Sequence, residues 1–181
     1  MPKNKGTNYY FTTTKLLEKS GPSARQKFLE QLTPAERAFH EKALEISWLD
    51  AAMVSANLAK AARIIFPGRD HPLQECGRLE ALDHLTGMYR IFLRFVSVEM
   101  VMKQAAKIWR QYHDAGAAYV KKTGDKRLIL FVEAYPELTP ELRDIVAGYC
   151  QGTIELTGAR EVVIAINDKN PAQWQFEVSW K

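Results

Sequence analysis

The 181-residue chain has only two cysteines, Cys76 and Cys150, and no Cys-x-x-Cys pair or His/Cys cluster. That excludes a disulfide-stapled fold and a structural zinc site. Long hydrophobic runs are missing too. The longest candidate, around residues 91–101, carries Arg94 and Glu99, so no segment reaches the ~20 apolar residues of a membrane span. The N-terminus is polar, with Lys3 and Lys5 and no apolar stretch behind them, unlike a secretory signal. Two lone cysteines without such a signal point to a reducing cytoplasm. No Gly-x-Ser-x-Gly, His-Glu-x-x-His, Walker or Gly-x-Gly-x-x-Gly motif occurs, so no standard hydrolytic or nucleotide chemistry is indicated and an enzyme is not expected. Charge of one sign is not in large excess. The net +4 divides into +3 over residues 1–102, +5 over 103–127 and −4 over 128–181. The basic block is either a solvated face or a contact for an acidic partner or anionic surface. No recognised nucleic-acid module accompanies it, so nucleic acid is not an expected partner.

What is present is strong patterning. Residues 1–20 have weak periodicity and read as an N-terminal arm or a loose first helix; 21–181 read as a single α+β domain. A short helix runs from Ser23 to Gln31. Thr33-Pro34-Ala35-Glu36 is a capping box opening a second, to Leu44. Ser47 is placed to cap a third over 48–66, which Pro67-Gly68 ends. Asp70 is placed to cap the longest helix, 71–95, with apolar lines through Leu73, Cys76, Ala81, His84, Met88 and Phe95 and through Leu79, Leu82, Tyr89 and Leu93. Ser97 caps a fifth over 98–112. The period then shortens. Residues 116–123 and 127–134 flank Gly124-Asp125-Lys126 as a hairpin. Thr139 caps a helix to Leu156, ended by Gly158; 161–167 is a strand; Asp168-Lys169-Asn170-Pro171 is a turn; and Trp174, Phe176, Val178 and Trp180 alternate with polar residues in a last strand. The order, ααααα-ββ-α-ββ, predicts an α+β fold: a helical bundle packed on one face of a four-stranded antiparallel sheet.

Phe66-Pro67-Gly68, a long helix carrying Gly77, Trp109, the run Tyr112-His113-Asp114-Ala115-Gly116, Pro136, Gly148, Gly152 and Gly158-Ala159 follow one another in this order. With that punctuation, roughly residues 45–181 resemble the superfamily of 4-vinyl-reductase, haem-NO-binding and TRAPP-component domains, near uncharacterised bacterial, myxobacterial-type members. The resemblance implies a domain that binds a small apolar or amphipathic ligand or a protein partner, often as a homodimer. The haem members of that superfamily use a helical histidine and a Tyr-x-Ser-x-Arg motif. No such motif occurs here, so haem is not expected, and His84 is the residue placed to ligate it if it were bound. The cysteine-rich clusters of the 4-vinyl-reductase-type members are also absent.

The candidate residues each have a structural and a functional reading. His84, on an apolar line with Met88 one turn later, is either a satisfied core histidine or a group facing a ligand. Trp109 and Tyr112, with Gly148 and Gly152 on one face of the crossing helix, complete the expected ligand-binding set; the glycines serve either close packing or a ligand gap. Arg90 and Arg94, one turn apart, either clamp an anion or pair with Asp83 or Glu99. Cys76 is a buried thiol or, as in TRAPP-like relatives, an acylation site. Cys150 reads as core. His113-Asp114 suggests acid–base chemistry only weakly, because sequence neighbours rarely point together. The leading expectation is a non-catalytic ligand-binding sensor domain. The alternative is an interaction module with a filled core.

Overall fold

The computed structural model describes residues 1–135, 139–167, 169–170 and 172–181, and the backbone of Tyr89. Pro136, Asp168, Pro171 and the Tyr89 side chain, all used in the sequence reading, lie outside the described residues. The chain starts as a strand, β1 (Lys3–Lys5), then helix α1 (Gly6–Tyr10), a π-helical segment (Phe11–Leu16) and α2 (Leu17–Lys19). Tyr9, Phe11, Leu16 and Leu17 are buried. Against the two expectations for residues 1–20, the segment is helical over most of its length and packs into the core rather than standing off as an arm. A π-helical turn holds more residues than an α-helical one, which shifts side chains out of the 3.6-residue phase and hides the periodicity.

Helices α3 (Pro22–Gln31) and α4 (Pro34–Lys42) form where expected, with both arms of the Thr33–Glu36 capping box made. The third helix starts later. Trp48–Asp50 pairs with β1 as antiparallel strand β2, and Asp50, not Ser47, caps α5 (Ala51–Ile65) by accepting the Met53 N–H at 3.0 Å. The longest expected helix is broken in two, α6 (Pro72–His84) and α7 (Gly87–Leu93). Gly87, at φ +58°, supplies the left-handed step between them. Likewise α8 (Val98–Met102), capped by Ser97, and α9 (Ala105–Tyr112) divide the expected fifth helix.

Strands β3 (Ala117–Gly124) and β4 (Arg127–Glu133), helix α10 (Pro140–Glu155) with its Thr139 cap, and strands β5 (Val163–Asn167) and β6 (Gln173–Ser179) follow. The four-stranded sheet has the order β3-β4-β6-β5, antiparallel throughout, and pairs Val132 with Trp174, Leu130 with Phe176 and Leu128 with Val178. Those six side chains are buried and alternate with less buried neighbours, so one face of the sheet carries the helices.

Helix α10 lies against α6 with backbone touching backbone. A Cβ on Gly148 would fall on the Gln74 carbonyl, and one on Gly77 on the Ile145 carbonyl. At Gly152 it would come within 2.6 Å of the Arg78 oxygen. Gly148 and Gly152 thus serve packing, and neither lines a cavity. Arg78 ties the pair at the side, its Nε 2.8 Å from Glu155 Oε2. The Gly148→Ala variant should lose about 2–3 kcal/mol in urea denaturation, since the clash is with main chain that cannot yield and outweighs the roughly 1 kcal/mol gained in helix propensity. A variant as stable as the parent would refute the close contact.

Candidate functional site

A cavity of about 100 Å³ lies where α9 and α10 cover the sheet beside α6. Its apolar wall is Val101, Met102, Ala105, Ile108, Ala118, Leu130, Ile145 and Val146. Among these stand polar and aromatic groups: Asn8, Glu80, Trp109, Tyr112, His113, Tyr149, Cys150 and Thr153.

Glu80 is the unusual member. It is 2% exposed. Its nearest basic atom is His84 Nδ1 at 3.6 Å, too far for a hydrogen bond. Burial pushes this carboxyl up to about 8, so at neutral pH it is mostly protonated. Asn8 also presents a buried Oδ1 without a donor. The Tyr112 and Tyr149 rings face each other at 6.2 Å, and burial raises both phenols, so both are neutral. Burial pushes the Cys150 thiol up to about 12.

His113 is held from outside the cavity. Its ring stacks on Trp109 at 3.8 Å, and its Nδ1 is 3.0 Å from the Asn4 amide oxygen. That oxygen also accepts the Tyr135 hydroxyl. Donation from Nδ1 leaves the lone pair on Nε2. Burial drives the imidazole down to about 3, so it is neutral. Asp114 turns elsewhere, its Oδ1 accepting the Lys3 N–H at 2.6 Å, so the two neighbours form no acid–base pair. Trp109 is anchored by its indole N–H, which donates to the Ala115 carbonyl at 2.8 Å.

The structure brings together some of the expected ligand residues and separates others. Trp109 and Tyr112 line the cavity. His84 does not; it packs edge-on against Phe11 beside Glu80. Met88 is 85% exposed on α7, because the break at Gly87 turns its helix away from the core. Arg90 and Arg94 are exposed and form no ion pair among the described residues, since Asp83 is taken by Lys15 and Glu99 by Lys122. Cys76 is fully buried outside the cavity wall, and burial pushes its thiol up to about 12, which leaves no accessible thiolate for acylation. Sequence reading passed over Glu80, Asn8 and Tyr149. The signal for Glu80 was present: it lies four residues after Cys76 and three after Gly77, on the buried stripe of α6.

Glu80 and His113 set opposite pH dependences. Between about pH 6.5 and 8, folded Glu80 keeps a proton that the unfolded chain has released, while unfolded histidines are already neutral; stability should fall with rising pH by up to about 1.4 kcal/mol per unit. Below about pH 6.5 the unfolded chain binds a proton that buried His113 refuses, so acidification also destabilises, opposed by Glu80 until about pH 4.5. Glu80 and His113 cancel between about pH 4.5 and 6.5, so the acid decline comes from His40 and His84, which burial also holds toward the neutral form. Urea denaturation should therefore give a maximum near about pH 6.5, and Glu80→Gln should remove the alkaline decline. An alkaline limb that persists unchanged in the variant rules out Glu80 as its source.

No family model and no curated protein matches the chain. Solved structures do. A Cs H-NOX mutant superposes with a TM-score of 0.67 at 12% identity, covering 98% of this chain and 96% of that one. The Fe(II) unliganded H-NOX protein from K. algicida gives 0.66 at 12%, with 98% and 96% covered. An oxygen-binding H-NOX domain related to soluble guanylate cyclases gives 0.63 at 11%, with 98% and 95% covered. A further neighbour is described by heme distortion in the H-NOX family. The chain therefore has the α+β fold of H-NOX domains. The expectation that set haem aside does not stand beside this finding and is withdrawn, because the structures sharing the fold are domains described by heme and Fe(II).

Proposed function

We propose that the domain is a non-catalytic sensor whose cavity takes up a small amphipathic molecule. The observation that carries this reading is the cavity itself, whose largely apolar wall includes the buried carboxyl of Glu80 and an Asn8 Oδ1 without a hydrogen-bond donor among the described residues. A buried polar group of that kind costs stability, and a ligand that pairs with it recovers the loss. Ligand uptake would order the short helices α8 and α9 that wall the cavity, and a protein partner or a second copy of the chain would read the ordered state.

A second reading takes the ligand to be haem, favoured by the H-NOX neighbours and by His113. The cavity wall carries three kinds of group that ligate haem iron elsewhere, the His113 imidazole, the Cys150 thiol and the Tyr112 and Tyr149 phenols. His113 suits the role best, being neutral and oriented through Nδ1 by Asn4. Haem would supply an iron atom able to bind a diatomic gas, while the chain would hold the imidazole tautomer and exclude water. The cavity, at about 100 Å³, would have to widen along α8 and α9 to admit the macrocycle.

Native mass spectrometry with an absorbance scan, on protein expressed with and without added haem, tests both readings. A small copurified mass, or a stabilising hit from a library of small amphiphiles, supports the first. A Soret band lost in His113→Ala supports the second. Protein with no bound mass, no Soret band and no stabilising ligand would sink the sensor reading altogether.

A further inference from the structure

We infer that the cavity is a receptor for a small primary alkylammonium ion, held by the Glu80 carboxylate and the Asn8 amide oxygen against the aromatic faces of Trp109, Tyr112 and Tyr149. The inference rests on the first reading above, that the cavity is a small-molecule site, and specifies the ligand's chemistry.

Four observations converge. Glu80 and Asn8 both line the cavity; Asn8 Oδ1 has no donor among the described residues, and the Glu80 carboxyl has His84 Nδ1 at 3.6 Å beside it. A ligand that brings N–H groups satisfies Asn8 Oδ1 and, once Glu80 has given up its proton, the carboxylate as well. No lysine or arginine lines the cavity, so an anionic ligand would find no counter-charge. Three aromatic rings stand in the wall, and ring faces attract cations most strongly where water is excluded. Size sets the last limit. At about 100 Å³ the space is smaller than the roughly 150 Å³ cavity that accepts benzene, so the alkyl part is a few carbons resting on Leu130 and Ile145.

The groups acting on Glu80 explain why it waits for a cation. Lys15, from the π-helical segment, favours the carboxylate but is bound to Asp83 at 3.2 Å. Asp83 on α6 and Glu45 between α4 and β2 oppose ionisation. His84 is held toward its neutral form by burial, and Tyr112 and Tyr149 are neutral phenols. A bound ammonium adds the missing positive charge. The carboxylic acid then gives its proton to the buffer and the ion pair forms, with no covalent bond of the ligand changed.

Isothermal titration and thermal unfolding of the full chain in constant chloride test this with propylammonium, against propionate, 1-propanol and tetramethylammonium. Propylammonium should bind and raise the melting temperature, and the other three should not. The binding heat should vary with the ionisation enthalpy of the buffer, as proton release requires. Glu80→Gln should weaken binding at least tenfold and remove the buffer dependence; should that variant not fold, Asn8→Ala should weaken binding in the same titration. Binding of propionate or 1-propanol as tight as that of propylammonium overturns the inference, as does tetramethylammonium binding equally well, since it has no N–H to give. A haem-loaded or otherwise liganded protein indifferent to propylammonium overturns it too and leaves the sensor reading standing. A protein indifferent to every ligand class removes both.

Discussion

The close contact between α6 and α10 is the constraint on which the rest depends. Gly77 lies against the Ile145 and Tyr149 backbone and Gly148 against that of Gln74 and Arg78, so the helices sit nearer than ordinary side-chain packing permits. That approach buries the inner stripe of α6, Glu80 included, and sets Tyr149 and Cys150 of α10 in the wall of the same cavity. Larger residues at these glycines would push the helices apart and let water reach the carboxyl. The cavity and its electrostatics are thus consequences of a packing choice made elsewhere in the pair.

The N-terminal residues close the site from the other side. Asn4 on β1 accepts from Tyr135 and orients His113, while Lys3 engages Asp114 through its backbone N–H. Asn8, one turn into the first helix, lines the cavity directly. A segment that reads as peripheral therefore braces the junction of α9 and β3. The pocket's polar groups come from four places far apart in the chain, Asn8, Glu80, the run Tyr112-His113 and the turn from Tyr149 to Thr153. Only the last two announce themselves as clusters in one dimension.

The likeness to H-NOX domains extends over nearly the whole chain at about one identical residue in eight. At that distance the likeness is one of fold. What the cavity binds must follow from its own walls, and these combine a buried carboxyl, two phenols and an imidazole held by an asparagine.

The α+β class, the capping boxes, the order of elements and the sheet strands were legible in the amino-acid pattern because they depend on local signals: Thr33 and Thr139 as caps, Gly158 as a stop, the period-two alternation of Trp174, Phe176 and Val178. The breaks at Gly87 and at Lys103-Gln104 were not, because apolar periodicity runs straight through both and only packing against neighbours decides where a helix bends away. The same holds for the site. Trp109 and Tyr112 could be chosen from sequence as bulky groups near a helix–strand junction. Glu80 could not be recognised as a cavity residue, since what a carboxyl on a buried stripe meets depends on side chains brought in from distant segments. Local chemistry settled which elements form; the distances between those elements, set by three glycines, decided that a carboxyl would be buried in the wall of a cavity.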